Sequence, residues 1–158
     1  MWMRARTERR KFIEIVERIM VRWGYTATDG KVYAILLLSN RPMTIAELAK
    51  ETGLSRSSIS VALSRLVREY LVTCRREGRT KYFTAVPAFL EKFLRQPRET
   101  LEREVRPLEK IVEAMIEKSD DEMRGRLEAI LNDLKKLECV LERIIRLEEE
   151  ESECLTSS

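Results

Sequence analysis

Apolar positions follow helical spacing along most of the chain. Near the N-terminus Phe12, Val16 and Ile19 recur at intervals of four and three residues, which predicts an amphipathic helix that ends at Gly24. Residues 29–39 are apolar around most of the helical circumference, so we predict that this second helix is buried.

The spacing changes to that of strands in one place only, residues 72–77 and 80–86. Both segments are rich in Thr, Tyr, Phe and Val, and Gly78 with Arg79 separates them. This composition around a two-residue turn predicts a β-hairpin. The predicted fold class is therefore mainly α with one small hairpin.

Before the hairpin, the residues that begin and end helices predict two short helices with a tight turn between them. Thr44 followed by Glu47 has the spacing of a capping box, which satisfies backbone donors at a helix start. Gly53 supplies the positive φ that ends this helix, and Ser55 suits the N-cap of the next. This is the spacing of a helix-turn-helix.

The second helix of this pair has one apolar face, formed by Ile59, Leu63 and Leu66, which leaves small polar residues on the opposite side. A DNA major groove about 12 Å wide favours such residues together with long cations. Arg56 forks to a guanine edge or touches only phosphate, and the serines either contact DNA or are simply solvated. The predicted contacts are Ser55, Arg56, Ser57, Ser58, Ser60 and Arg65.

Cations crowd the hairpin tip, which makes the hairpin a candidate wing beside the helix pair. Such cations suit phosphate or the minor groove, and the helix start at Thr44 can also hold a phosphate. The fold predicted is a winged helix-turn-helix. Its predicted DNA contacts outside the recognition helix are Thr44, Arg75, Arg76, Arg79 and Lys81.

Charge is distributed unevenly, although the formal net charge is only +3. Residues 41–85 hold nine Lys or Arg against four Glu, a net of +5, whereas residues 138–158 hold seven Glu against two Arg, a net of −5. A basic DNA-binding segment and an acidic C-terminus are predicted. The alternative is that both are solvated helix faces.

Composition argues against several classes of function. The chain has no histidine, no Gly-rich phosphate loop and no nucleophile elbow, so we predict that it is not an enzyme and needs no cofactor. Cys74, Cys139 and Cys154 lack metal-ligand spacing, and Cys74 is predicted to be an apolar filler of the first wing strand. No apolar run suits a membrane span or a secretion signal, which predicts a cytoplasmic protein without a membrane partner.

Beyond the hairpin the chain is predicted to be helical. Gln96 and Pro97 resemble a helix start, and Pro107 predicts a bend near Arg103. Heptad spacing in this helix and in the next predicts a helical hairpin or coiled coil.

These helices carry more apolar surface than one partner helix can cover, which favours a homodimer. The alternative is an intrachain bundle covered by the first helix. The predicted interface comprises Phe12, Val16, Ile19, Leu127, Ile130, Leu134, Leu137, Leu141 and Ile144. The predicted domains are an N-terminal packing or dimerisation helix (1–27), the winged helix (28–86), a helical dimerisation arm (87–149) and an acidic, disordered tail (150–158).

Two phrases, AILLLSNRPMTIAELA at residues 34–49 and GLSRSSISVALSRL at residues 53–66, carry a family resemblance. Residues 28–86 resemble the winged helix of MarR-type regulators, and more narrowly their GbsR-like branch. The resemblance implies a homodimeric transcription factor whose terminal helices form the dimer and whose second motif helix contacts operator DNA.

Trp23, Tyr25 and Tyr33 are close in sequence and suggest an effector pocket, even an aromatic cage for a quaternary ammonium ligand. The alternative is ordinary core packing. For the whole chain the alternative to DNA binding is a winged-helix adaptor that binds protein within a larger assembly. A basic, serine-rich motif helix favours DNA.

Overall fold

A computed structural model describes the backbone of residues 2–156 and the side chains of residues 3–150. The chain divides into two compact units, of which the first, here called the head, ends at Ala88 and the second, the C-terminal unit, begins at Phe89. The elements of the head are α1 (Trp2–Arg22), α2 (Ala27–Leu37), α3 (Ile45–Thr52), α4 (Arg56–Arg68), β1 (Val72–Glu77) and β2 (Thr80–Ala85).

Helices α1 and α2 pack closely in the head, and a glycine permits their approach. A Cβ built on Gly30 would lie 2.8 Å from the Cα of Glu17, a distance at which the backbones would have to separate. Val16 and Met20 of α1 are buried here, and α2 contributes most of its side chains to the same core. The prediction that Val16 belongs to a dimer interface is therefore wrong, because its own chain covers it.

The predicted helix pair is confirmed. Thr44 caps α3 by accepting a hydrogen bond from the backbone N–H of Glu47 at 3.2 Å, and Gly53 ends the helix with φ 72°. The second half of the capping box is absent, because Glu47 Oε2 instead pairs with Arg41 at 2.8 Å. Ser55 is the N-cap of α4, as predicted.

Helix α4 ends in a Schellman arrangement that turns the chain into the wing. The N–H of Leu71 donates to the carbonyl of Leu66 at 2.9 Å, and the N–H of Tyr70 donates to that of Val67 at 3.1 Å. Tyr70 adopts φ 62°, a left-handed conformation that glycine usually occupies at this position. Leu71 is then buried at the start of the hairpin.

The wing is a two-stranded antiparallel hairpin whose register runs from Val72 opposite Ala85 to Glu77 opposite Thr80. The predicted two-residue turn is confirmed, and Gly78 adopts φ 61° in it. Phe83 N and O exchange hydrogen bonds with Met43 at 2.9 and 3.0 Å, which ties the wing to the segment before α3. Cys74 is exposed, so its prediction as a filler is wrong, because only the first residue of β1 is buried.

In the C-terminal unit α5 (Phe89–Thr100), a π-helical turn (Leu101–Val105) and α6 (Arg106–Glu117) form one continuous helical segment, which packs against α7 (Asp121–Thr156). The helix start predicted at Gln96 and Pro97 is wrong, because helix α5 continues through Pro97. At the place where a bend is predicted, near Arg103, the helix contains the π-helical turn, which precedes Pro107.

The predicted heptad seam of α7 separates into two adjacent stripes that differ in burial. Leu127 and Leu141 are buried within this unit, so the prediction that they form a dimer interface is wrong. Ile130, Leu137 and Ile144, which also recur every seven residues, are exposed. Leu134 is half-buried, as are Phe12 and Ile19 of α1.

Helix α7 continues as far as Thr156, beyond the boundary predicted at residue 150. Of the tail predicted to be disordered, residues 157 and 158, together with the side chains from residue 151 onward, lie outside the described residues. Within the described part of the chain, no helix is both long enough and apolar enough to cross a membrane.

Candidate nucleic-acid interface

The N-terminal half of α4 exposes small polar side chains, as the sequence predicts. Ser57, Ser58 and Ser60 are exposed, and so is Arg56. The hydroxyl of Ser55 accepts from the N–H of Ser58 at 3.2 Å and lies 2.8 Å from its Oγ. Ser55 is therefore engaged in capping α4, while the other serines face outward.

An exposed stripe runs along α4 and includes residues that sequence reasoning missed. Val61 is 58% exposed and lies outside the apolar face that the sequence predicts for this helix. Because Val61 follows the exposed Ser57 by four residues, it lies on the same exposed side of the helix. An exposed methyl group at this position suits the C5-methyl of thymine. The exposed stripe, at intervals of three, one, three and four residues, consists of Ser57, Ser60, Val61, Ser64 and Arg68.

Arg65 follows Val61 by four residues, but it is half-buried and its guanidinium is engaged in an ion pair within the head. Its Nη1 lies 2.5 Å from Oδ2 of Asp29, a residue of α2 that is fully buried. Sequence reasoning missed Asp29. The signal was Thr26, three residues earlier, because the two form a complete capping box at the start of α2. The prediction that Arg65 contacts DNA finds no support in this geometry.

Of the four cations of the wing, one forms an ion pair within the wing and three do not. Arg75 pairs with Glu77 at 3.1 Å, and its guanidinium carbon lies 5.8 Å from the ring centroid of Tyr82. By contrast, Arg76, Arg79 and Lys81 make no ion pair with any side chain that the structure describes.

Arg76 and Lys81 lie directly opposite each other across the hairpin, so their side chains leave the same face. Like charges in this arrangement are destabilising by themselves. An anion between the two side chains would relieve the repulsion. A phosphate group of a nucleic acid has the required charge.

The three aromatic residues predicted to form an effector pocket do not have a common environment. Tyr33 is 1% exposed and its hydroxyl donates to the carbonyl of Val86 at 2.6 Å, which makes it a core residue. Trp23 and Tyr25 are half-buried, and Tyr25 Oη lies 3.5 Å from Glu69 Oε2. For Tyr33 the core-packing alternative is the one observed.

Burial raises the pKa of Tyr33 to about 12, against a smaller lowering by the backbone of Ala88. The neutral form is therefore favoured in the folded state. The contribution of neutral Tyr33 to the stability of the fold is complete below pH 10, the ordinary pKa of tyrosine, and is lost as pH rises through about 12.

Tyr33→Phe is expected to lower the free energy of unfolding by about 1 kcal/mol at neutral pH, because the hydrogen bond to Val86 is removed. Between pH 10 and 12 the difference from the unmodified chain should shrink. Urea unfolding at several pH values measures both effects. Tyr70→Phe, at an exposed tyrosine, is the control and should leave stability unchanged; equal losses in both variants would contradict the prediction.

Comparisons with known proteins find that the head is similar in sequence to regulators of transcription. Residues 20–88 match the model of the TrmB family, described as sugar-specific transcriptional regulators. Sixty residues are 37% identical to the HTH-type transcriptional regulator YvaV of Bacillus subtilis, covering 38% of this chain and 32% of that protein. Fifty-nine residues are 34% identical to the HTH-type transcriptional repressor OpcR of the same organism, covering 37% of this chain and 30% of the repressor.

A solved structure of a transcriptional regulator is similar over 90% of this chain and 99% of its own length, with a TM-score of 0.55 and 18% identity. At that identity the likeness concerns the fold alone. The family match covers residues 20–88, a segment that contains the helix pair and the wing. We conclude that residues 20–88 form a winged helix-turn-helix domain of the type found in transcriptional regulators.

Proposed function

We propose that this chain is a sequence-specific double-stranded DNA-binding transcriptional regulator that acts as a homodimer, of the MarR type and its GbsR-like branch. The observation that carries the proposal is the exposed serine stripe of α4 beside wing cations that have no ion-pair partner among the described residues. Small side chains admit α4 to a major groove, and the cations neutralise phosphate on either side.

The arginines and the lysine of the head to which we assign DNA contacts have no acidic partner among the described side chains, and this supports the proposal. In the head, Arg41, Arg65 and Arg75 are held by acidic side chains, at distances of 2.8, 2.5 and 3.1 Å. Within the described side chains, Arg56, Arg68, Arg76, Arg79 and Lys81 have no such partner. Phosphate contacts release counterions, so binding should weaken steeply as salt rises.

The homodimer is supported by the exposed apolar stripe of α7. Ile130, Leu137, Val140, Ile144 and Leu147 are exposed, although each is a residue that proteins usually bury. A second copy of α7 offers an identical stripe, which suits the self-complementary interface of a twofold dimer. Two recognition helices held roughly 34 Å apart can then enter successive major grooves.

The proposal includes modulation by a small-molecule effector. With Tyr33 in the core, it rests on the half-buried Trp23 and Tyr25 at the end of α1 and the start of the following turn. A ligand would act by binding one arrangement of the dimer better than another. A cytoplasmic location follows from the proposal, because the protein must reach DNA.

Arg56→Ala and Arg79→Ala are expected to affect DNA binding differently. Arg56 begins the recognition helix, so its removal should relax sequence preference by about 1 to 3 kcal/mol. Arg79, at the wing turn, should contribute equally to all sequences, so its removal should weaken specific and non-specific binding alike. The salt slope should fall by about one for each phosphate that the variant no longer neutralises.

The measurement uses a duplex selected from a random pool by the unmodified chain, and a scrambled duplex of the same composition, in fluorescence anisotropy titrations at several salt concentrations. Arg143→Ala removes the same charge from an exposed position of α7 and is the matched control. If both head variants bind like this control, the proposed interface is wrong. The adaptor alternative predicts that no duplex is enriched by the unmodified chain.

A further inference from the structure

Asp29 is a carboxylate without solvent exposure in the head. Burying a charge is costly unless the charge is paired and hydrogen-bonded. Its Oδ2 accepts from the backbone N–H of Thr26 at 3.0 Å and from Nη1 of Arg65 at 2.5 Å. Its Oδ1 has no hydrogen-bond partner among the described residues. The single guanidinium of Arg65 is thus the counter-ion of this buried charge.

The pair connects two elements that are far apart in sequence. Asp29 lies in the first turn of α2, and its backbone N–H donates to Thr26 Oγ1 at 3.1 Å, so the capping box holds its position. Arg65 lies in the last turn of α4, the proposed recognition helix. The side chain of Arg65 is 37% exposed whereas that of Asp29 is 1% exposed, so the bridge has one end in the core.

The same pair lines a cleft of about 350 Å³ between the start of α2 and the exposed side of α4. Ser57, Ser58 and Val61 line it as well, and these belong to or adjoin the proposed DNA-contacting surface. Val61 precedes Arg65 by four residues and therefore lies one turn away along the same side of the helix. Ala62, a buried residue of α4 with a small side chain, also lines the cleft.

We propose that Asp29 is a positioning residue, which holds α4 through Arg65 at the rotation that presents Ser57, Ser60 and Val61 to DNA. The proposal rests on the DNA-binding function proposed above. A pair with one buried member is screened little by solvent and has a defined geometry. Rotation of α4 would withdraw Arg65 and leave the buried carboxylate uncompensated, so the bridge opposes it. Asp29 itself touches no DNA in this proposal.

Asp29→Asn tests the role. The amide oxygen can still accept from Thr26, but the charge that holds Arg65 is gone. The matched control is Glu51→Gln, which makes the same change of charge in the head and removes an exposed pair with Arg9 of 3.7 Å. Both variants are titrated with the selected duplex and with its scrambled counterpart, at a temperature well below their measured Tm.

The expected result is that Asp29→Asn lowers the ratio of specific to non-specific affinity on the order of tenfold, about the cost of one mismatched base pair, while Glu51→Gln leaves it unchanged. A purely structural role would lower the Tm and leave that ratio intact. If Arg65 instead contacts phosphate, its release should tighten binding to both duplexes and steepen the salt dependence. Either of these two results would overturn the proposal.

Arg65→Lys gives a second test if Asp29→Asn does not fold. It keeps the charge at this position and removes the planar guanidinium, so a phosphate contact should be retained whereas positioning should not. The same fall in the affinity ratio is expected, and an unchanged ratio would overturn the proposal. Failure of the unmodified chain to enrich any duplex would instead reject the DNA-binding function, and with it this role.

Discussion

Leu137→Asp is expected to convert a dimer of this chain into a monomer at micromolar concentration. Leu137 is 42% exposed and lies at the middle of the apolar stripe formed with Ile130 and Ile144 on α7. In a twofold dimer each substitution occurs twice, so both leucines leave the interface and two carboxylates take their place.

The size of the effect follows from the apolar area removed. Full burial of a leucine side chain contributes about 1.5 to 3 kcal/mol, and half of that for each of two copies already weakens association by on the order of tenfold to 100-fold. Burial of two like charges adds to this, because like charges facing each other across an interface cost several kcal/mol. The fold of the subunit should survive, because the side chain does not belong to the core shared by α6 and α7.

Sedimentation over a range of micromolar concentrations measures the result, and circular dichroism checks the helices. Asn132→Asp adds the same charge to an exposed polar position of α7 and should remain dimeric. An unmodified chain that sediments as a monomer contradicts the proposed dimer directly. If Leu137→Asp remains dimeric, another surface forms the interface.

Ser60→Glu is expected to reduce DNA affinity by two orders of magnitude or more without unfolding the head. Ser60 is exposed in the middle of the stripe between Ser57 and Val61. A glutamate there brings a carboxylate into a groove flanked by phosphates, in both halves of a dimer, and each like-charge contact costs several kcal/mol.

Stability should change by no more than about 0.5 kcal/mol, because the position is exposed and glutamate is a better helix former than serine. Anisotropy titrations with the selected duplex measure binding, and thermal unfolding checks the fold. Asn132→Glu adds the same charge to α7 and is expected to bind DNA normally. Undiminished binding by Ser60→Glu would mean that this face of α4 does not enter DNA.

The two substitutions separate the two units of the chain. Leu137→Asp acts through the C-terminal unit and should weaken DNA binding only by removing the second recognition helix, so high protein concentration should partly restore it. Ser60→Glu acts at the recognition helix itself, and concentration should not restore binding while the dimer remains intact. For a dimeric regulator we therefore expect high protein concentration to restore DNA binding in part for Leu137→Asp but not for Ser60→Glu.

The helix pair and the wing could be predicted because the signals that define them are local. A cap such as Thr44, a helix-ending Gly53 and a turn glycine at residue 78 act within a few residues of themselves. Periodicity then identifies the buried face of α4, whose Ile59, Leu63 and Leu66 are all buried as predicted.

Predictions failed where the local sequence is compatible with more than one structure. The Gln96–Pro97 pair has the composition of a helix start, yet α5 continues through it and packs against α7. The heptads of α7 likewise define two adjacent stripes. Spacing alone does not say that Leu127 and Leu141 are buried within the C-terminal unit while Ile130 and Leu137 remain exposed. Packing of α7 against the helical segment that precedes it makes this choice.

The amino-acid order was thus enough to establish a winged helix-turn-helix whose second motif helix is basic and rich in serine, because capping, turn geometry and periodicity operate over short stretches of chain. The partners of its charges depended on the folded arrangement. Arg65 is a residue of the type that contacts DNA, and its sequence neighbours do not show that it is paired. Asp29, its partner, is 36 residues away, and only folding brings the two together. Burial and ion pairing depend on residues distant in sequence, so which cations remain available to DNA is a property of the tertiary structure.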